Sequence, residues 1–146
     1  MKSQLNFRIV VADPLPGVIY CLQRGRSDLL APAQSTTSRL VFEFPLVLAD
    51  IDADPPRLTG EYAQGPAKER FVYVNSGSLA RQMDTAWTRR AKVPLYRITR
   101  SMLAEVLQRE SEGLVLEARI HGVGKDGGPA CATVPLLSEW SISEAG

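Results

Sequence analysis

Between positions 4 and 11 apolar and polar residues alternate, with Leu5, Phe7, Ile9 and Val11 on one side and Gln4, Asn6 and Arg8 on the other. A period of two predicts a half-buried strand, and "ADPLPG" ends it. "GVIYCLQRG" predicts a second strand with Val18, Tyr20 and Leu22 on one face, and the polar stretch 26–38 reads as a loop. The strongest alternation is in "RLVFEFPLVLADI", which stacks Leu40, Phe42, Phe44, Leu46 and Leu48. Pro45 removes a ladder donor there and predicts an edge strand or a bulge. "DIDADPP" reads as an acidic turn. "LTGEYAQGPAKERFVYVN" reads as a short strand, a Gly-Pro turn and a strand ending near Asn75. A connection through "SGSLARQMD" leads to another strand in "WTRRAKVPLYRI".

The period changes once. Met102, Leu103, Val106 and Leu107 form a helical stripe, Thr99 or Ser101 can cap its start, and Gly113 suits its end, which predicts an amphipathic helix over about 101–112. "LVLEARIH" and "ACATVPLL" then read as hairpin arms joined by "GVGKDGGP", and "SEWSI" as a last short strand. About seven to nine strands and one helix predict a mainly β fold. The expectation is an antiparallel barrel or sandwich whose helix covers one opening or face. At 146 residues the chain is expected to be a single domain, 1–146, with a core large enough to stand without staples.

Composition narrows the function classes. A net charge of +1 supplies no field for steering nucleic acid or an anionic membrane to the surface, so neither partner is expected and any anion recognition must be local. Cys21 and Cys131 belong to no metal-ligand spacing and sit in apolar segments, as buried free thiols do. The first residues are too interrupted by charge for a signal peptide, and no run approaches the ~18 apolar residues of a membrane span. A cytoplasmic protein is expected, without metal or cofactor.

Three motifs resolve into plainer readings. Gly122, Gly124 and Gly127 spell a dinucleotide-binding pattern, but a strand follows where that pattern needs a helix, so a hairpin turn is the better reading. Asp50, Asp52, Asp54 and Glu61 match acidic positions of a calcium loop, yet Pro55 stands where the loop needs glycine, and a solvated acidic turn remains. His121 is the only histidine and has no nucleophile signature beside it.

The strand over 87–98 carries the most chemistry. Its period of two puts Trp87, Arg89, Ala91, Val93 and Leu95 on one face and Arg90, Lys92, Pro94 and Tyr96 on the other, so Arg89 shares the apolar side. A buried guanidinium without a partner costs several kcal/mol, on the order of a buried charge left alone. Two readings stand open. In one, Arg90 and Lys92 point to water and Arg89 either snorkels at the strand's end or pairs internally, with Glu43, Glu117 and Glu139 as candidates to neutralise Arg89 or Arg90. In the other, its fork faces a cleft and takes a carboxylate or phosphate beside Trp87. Arg70 is expected near the far end of this strand if its own strand is the antiparallel neighbour.

"LTGEYAQGP" leading into "RFVYV", then "RRAK", "GGPACA" and Trp140, resembles a bacterial family of small proteins catalogued as a domain of unknown function. The resemblance covers about the last two thirds of the chain, with a weaker fit over "GVIYCLQRG". It implies no activity, cofactor, substrate or catalytic residue.

The first expectation is a noncatalytic domain that binds a small anionic ligand or an acidic peptide through Arg89, Arg90, Lys92 and Arg70, with apolar contact from Trp87 and Tyr62. The alternative is a protein-interaction subunit, a homodimer among the candidates, that pairs through an exposed edge at Leu40 to Leu48. An enzymatic reading ranks below both, since no base and nucleophile pair can be named.

Overall fold

A computed structural model describes residues 4–14, 18–24, 28–30, 34–36, 38–66, 68–78, 89–109, 114–121 and 139–144. Ten strands are found among them: β1 Gln4–Ala12, β2 Val18–Arg24, β3 Asp28–Leu30, β4 Gln34–Ser35, β5 Arg39–Asp50, β6 Arg57–Thr59, β7 Phe71–Ser78, β8 Arg89–Pro94, β9 Leu114–His121 and β10 Glu139–Glu144. A 3-10 turn at Leu95–Arg97 and the helix α1, Arg100–Gln108, lie between β8 and β9. One sheet runs β10-β9-β1-β5-β4, with β6 also on β5; the other runs β3-β2-β7-β8. The two sheets are not closed into a barrel among the described residues, and the architecture is sandwich-like and mainly β.

The alternating sets of the sequence build the core. Leu5, Phe7, Ile9 and Val11 of β1 and Leu40, Phe42, Phe44 and Leu46 of β5 are buried from one sheet. Tyr20, Leu22, Val72, Val74 and Val93 meet them from the other in the same cluster. Each such side chain contributes roughly 1.5–3 kcal/mol by leaving water. Phe7 meets Phe44 edge to face, 5.4 Å between ring centres. The helix adds Leu103 and Val106 to this core, and its start is fixed by Thr99, whose hydroxyl accepts the Met102 amide at 3.2 Å. It ends earlier than 112: Arg109 is its C-terminal cap, and 110–113 lie outside the described residues.

Two pairings differ from the sequence expectation. β1 pairs β5 antiparallel but β9 in parallel, so the larger sheet is mixed. A parallel neighbour needs a long crossover, here most of the chain, which alternation cannot announce. β9 takes β10 as its antiparallel partner, so between Leu116 and Arg119 both its edges are occupied and "ACATVPLL" is not the other arm there. That segment, like Gly122, Gly124, Gly127 and Cys131, lies outside the described residues.

β5 is no free edge. β1 covers one side, while on the other β4 pairs at Val41 and Leu40 and β6 at Val47 to Asp50, with a bulge between Leu48 and Asp50. Pro45 falls in the interval between β4 and β6, where its missing donor costs no ladder bond on that side. Gly60 fits under the same turn, because a Cβ there would stand 3.1 Å from the Pro45 carbonyl oxygen. The acidic turn is exposed at Asp50, Asp52 and Asp54, with the Asp50 carboxylate accepting the Asp52 amide at 3.1 Å. Among the described residues no helix is long and apolar enough to cross a membrane.

Candidate functional site: a basic cleft at the end of β8

Two ladders fix how β7 presents its groups. On one side Phe71 exchanges both backbone bonds with Gln64, at 2.8 and 3.0 Å; on the other the Leu95 amide donates to the Arg70 carbonyl at 2.9 Å. The segment after the Gly-Pro turn is thereby stitched to the 3-10 turn, and Arg70 sits at the far end of the basic strand, as its sequence position suggested. Pro56, Leu58, Lys68, Arg70, Leu95 and Tyr96 line a shallow, open cleft at this junction. Its floor is apolar, Leu58 and Leu95 being buried, and its rim carries exposed Lys68 and half-buried Arg70 and Tyr96.

Neither Lys68 nor Arg70 makes an ion pair among the described residues. The depression encloses no ligand-sized volume, so an anion there would rest on the rim with the rest of its molecule outside. Arg70 offers a planar fork and Lys68 a point charge, a combination suited to a carboxylate or phosphate group.

The remaining expected residues divide between this end and the rest of the sheet. Lys92 stands opposite Tyr73, and its ammonium lies 4.3 Å above the Phe71 ring. That ring packs edge to face on Tyr73, 4.7 Å between centres, so Phe71, Tyr73 and Lys92 form a ladder on the outward face. Gly65 makes room for it: a Cβ there would meet the Phe71 ring at 2.6 Å, at a φ of +88°. Arg89 and Arg90 take register opposite Ser76 and Asn75, at the other end of β8 from Arg70, so the expected cluster is spread along one strand. The side chains of Arg89 and Arg90, and all of Trp87, lie outside what the structure describes.

Tyr62 faces inward. Its ring meets Phe44 at 5.2 Å and it packs against the core, so it is no wall of the cleft. "LTGEYAQGP" thus has a structural account in Gly60, Tyr62, Gln64 and Gly65, which seat the turn between β6 and β7.

The carboxylates considered as partners for Arg89 or Arg90 are placed elsewhere. Glu43 and Glu117 stand in register on either side of Arg8, on β5 and β9. Arg8 Nε is 3.7 Å from Glu43 and its Nη1 is 3.4 Å from Glu117. Arg8 shares the polar side of the β1 alternation with Gln4 and Asn6, yet its side chain is only 6% exposed. The signal was present as one arginine and two glutamates in three strands, but only the register makes it legible. His121 ends β9 opposite Ala12, its side chain outside the described set, and Glu139 stands opposite Arg119. Cys21, opposite Asn75 on β2, is a half-buried free cysteine whose thiol pKa is raised by burial.

No curated protein and no solved structure matches this chain. The model of one protein family, described as a family of unknown function, matches residues 5–143.

Proposed function

The chain belongs to this family of unknown function (DUF5990), and from its geometry we propose a noncatalytic domain that binds anionic groups, centred on the cleft of Lys68 and Arg70 and continued along β8 by Lys92, Arg90 and Arg89. The observation that carries the reading is two cations without an acidic partner among the described residues, over a buried apolar floor. Such a rim attracts a carboxylate or phosphate, by the charge of Lys68 and the fork of Arg70.

Titration with succinate and with inorganic phosphate, followed by the backbone amide resonances of Arg70 and Tyr96, tests it. Saturable shifts that vanish in a Lys68→Ala/Arg70→Ala variant with an unchanged spectrum elsewhere are expected. Absence of any saturable shift at millimolar anion would end this reading. Self-association through the Leu40 to Leu48 strand is not the better alternative, because β5 has neighbours on both sides.

A further inference from the structure

β8 is the last strand of its sheet and, among the described residues, pairs only with β7. Which of its backbone groups face outward follows from the ladder. Phe71 directs its amide and carbonyl to Gln64, and Arg70 directs its carbonyl to Leu95. Backbone groups alternate sides along an antiparallel strand. Val72, Val74 and Ser76 therefore face β8 and exchange bonds with their register partners Val93, Ala91 and Arg89. The even positions of β8, Arg90 and Lys92, turn their amides and carbonyls away from β7.

Pro94 has the same parity, so its missing donor falls on the outer side, where β7 holds no acceptor for it. Lys92 also belongs to the outward face of the sheet, over Phe71. The same two positions thus combine a backbone edge that no described strand covers with basic residue types, and the strand runs on toward the Lys68 and Arg70 cleft.

We propose that this edge receives an extended acidic segment of a partner protein as an added strand. Its residues opposite Arg90 and Lys92 are acidic, one residue apart, and its continuation delivers a further carboxylate to the cleft. The edge fits this occupant by charge. Arg89, Arg90 and Lys92 would repel a second copy of β8, and they are the devices that keep an edge from pairing indiscriminately. An acid at every second position turns the repulsion into cross-strand pairs, while the backbone bonds set the register. The inference rests on the anion-binding reading of the cleft and adds the partner's backbone to it.

The test uses the full chain and a short synthetic peptide with glutamate at alternate positions and threonine between them. Saturable binding, slowed hydrogen exchange at the Arg90 and Lys92 amides, and a loss of about tenfold or more in affinity for Lys92→Glu are expected. The decisive control leaves the protein untouched: the same peptide N-methylated at its outward-paired residues keeps every charge and loses the backbone bonds, and its binding should collapse. Equal binding by the methylated peptide, or by a peptide of the same composition with its glutamates contiguous, would overturn strand addition. If succinate and phosphate still bind in that case, the cleft reading survives alone; if they do not, both fail.

Discussion

Replacing Arg8 by methionine should destabilise the protein far more than an exchange on a polar strand face ordinarily does. Arg8 and Glu117 are both nearly buried, 6% and 9% exposed, whereas Glu43 is 48% exposed. Removing the guanidinium leaves the Glu117 carboxylate in a site chosen for a pair, and breaking a buried pair costs about 3–5 kcal/mol. Glu43 keeps its water, so Glu43→Gln should cost less than about 1 kcal/mol. The combined exchange Arg8→Met/Glu117→Leu removes both charges and should return stability to within about 1 kcal/mol of the parent, since a buried pair is worth little against apolar groups of similar volume. Urea unfolding followed by tryptophan fluorescence measures the parent, Arg8→Met, Glu117→Leu, the double variant and Glu43→Gln, the comparison resting on midpoints at a common slope. A loss below about 1 kcal/mol for Arg8→Met, or a double variant as unstable as the sum of Arg8→Met and Glu117→Leu, would refute the reasoning.

Two further outcomes follow from the geometry. Gly65→Ala places a methyl 2.6 Å from the Phe71 ring at a φ of +88°, so stability should fall by about 2 kcal/mol in thermal unfolding and Lys92 should lose its seat over the ring; an unchanged melting temperature sinks that account. Burial raises the Cys21 thiol pKa, so the unfolded chain loses this proton first. The stability it contributes is present below the ordinary value of 9.0 and is lost as pH rises through the higher folded value. Alkylation of Cys21, read by peptide mapping, should be slower in the native protein than in urea, and equal rates would contradict it.

The inner faces were legible because burial and period coincide: Phe7 and Ile9, or Phe42 and Phe44, have only one place to go. Thr99 was legible because a cap is local. Arg8 was not, since its environment depends on Glu43 and Glu117 arriving from strands β5 and β9 in one particular register. The β5 edge was misread for a related reason: Pro45 does reject a neighbour, but only over the interval that β4 and β6 leave between them. Of the expected site, Arg70 was placed by a sound argument about antiparallel neighbours, and Lys92 by strand parity. Tyr62 packs on Phe44 and the core, which sequence does not reveal, since a tyrosine after a glycine turn looks the same whether it faces solvent or core. Lys68, the second cation of the proposed site, carries no signal in the sequence, because only the fold of the turn brings it beside Arg70.

β1 lies between β5 and β9, and those neighbours come from opposite ends of the chain's own timetable. A growing polypeptide can zip β1 onto β5 as soon as both exist, but the parallel side of β1 stays open until β9 has been made. Throughout that interval Arg8 lacks its more deeply buried carboxylate, and the central strand of the larger sheet shows an uncovered edge. Such late closure by distant pairing slows folding and lengthens exposure to aggregation. The protein's vulnerable moment is therefore during synthesis, and a chain stalled before β9 is the form that quality control has most reason to meet.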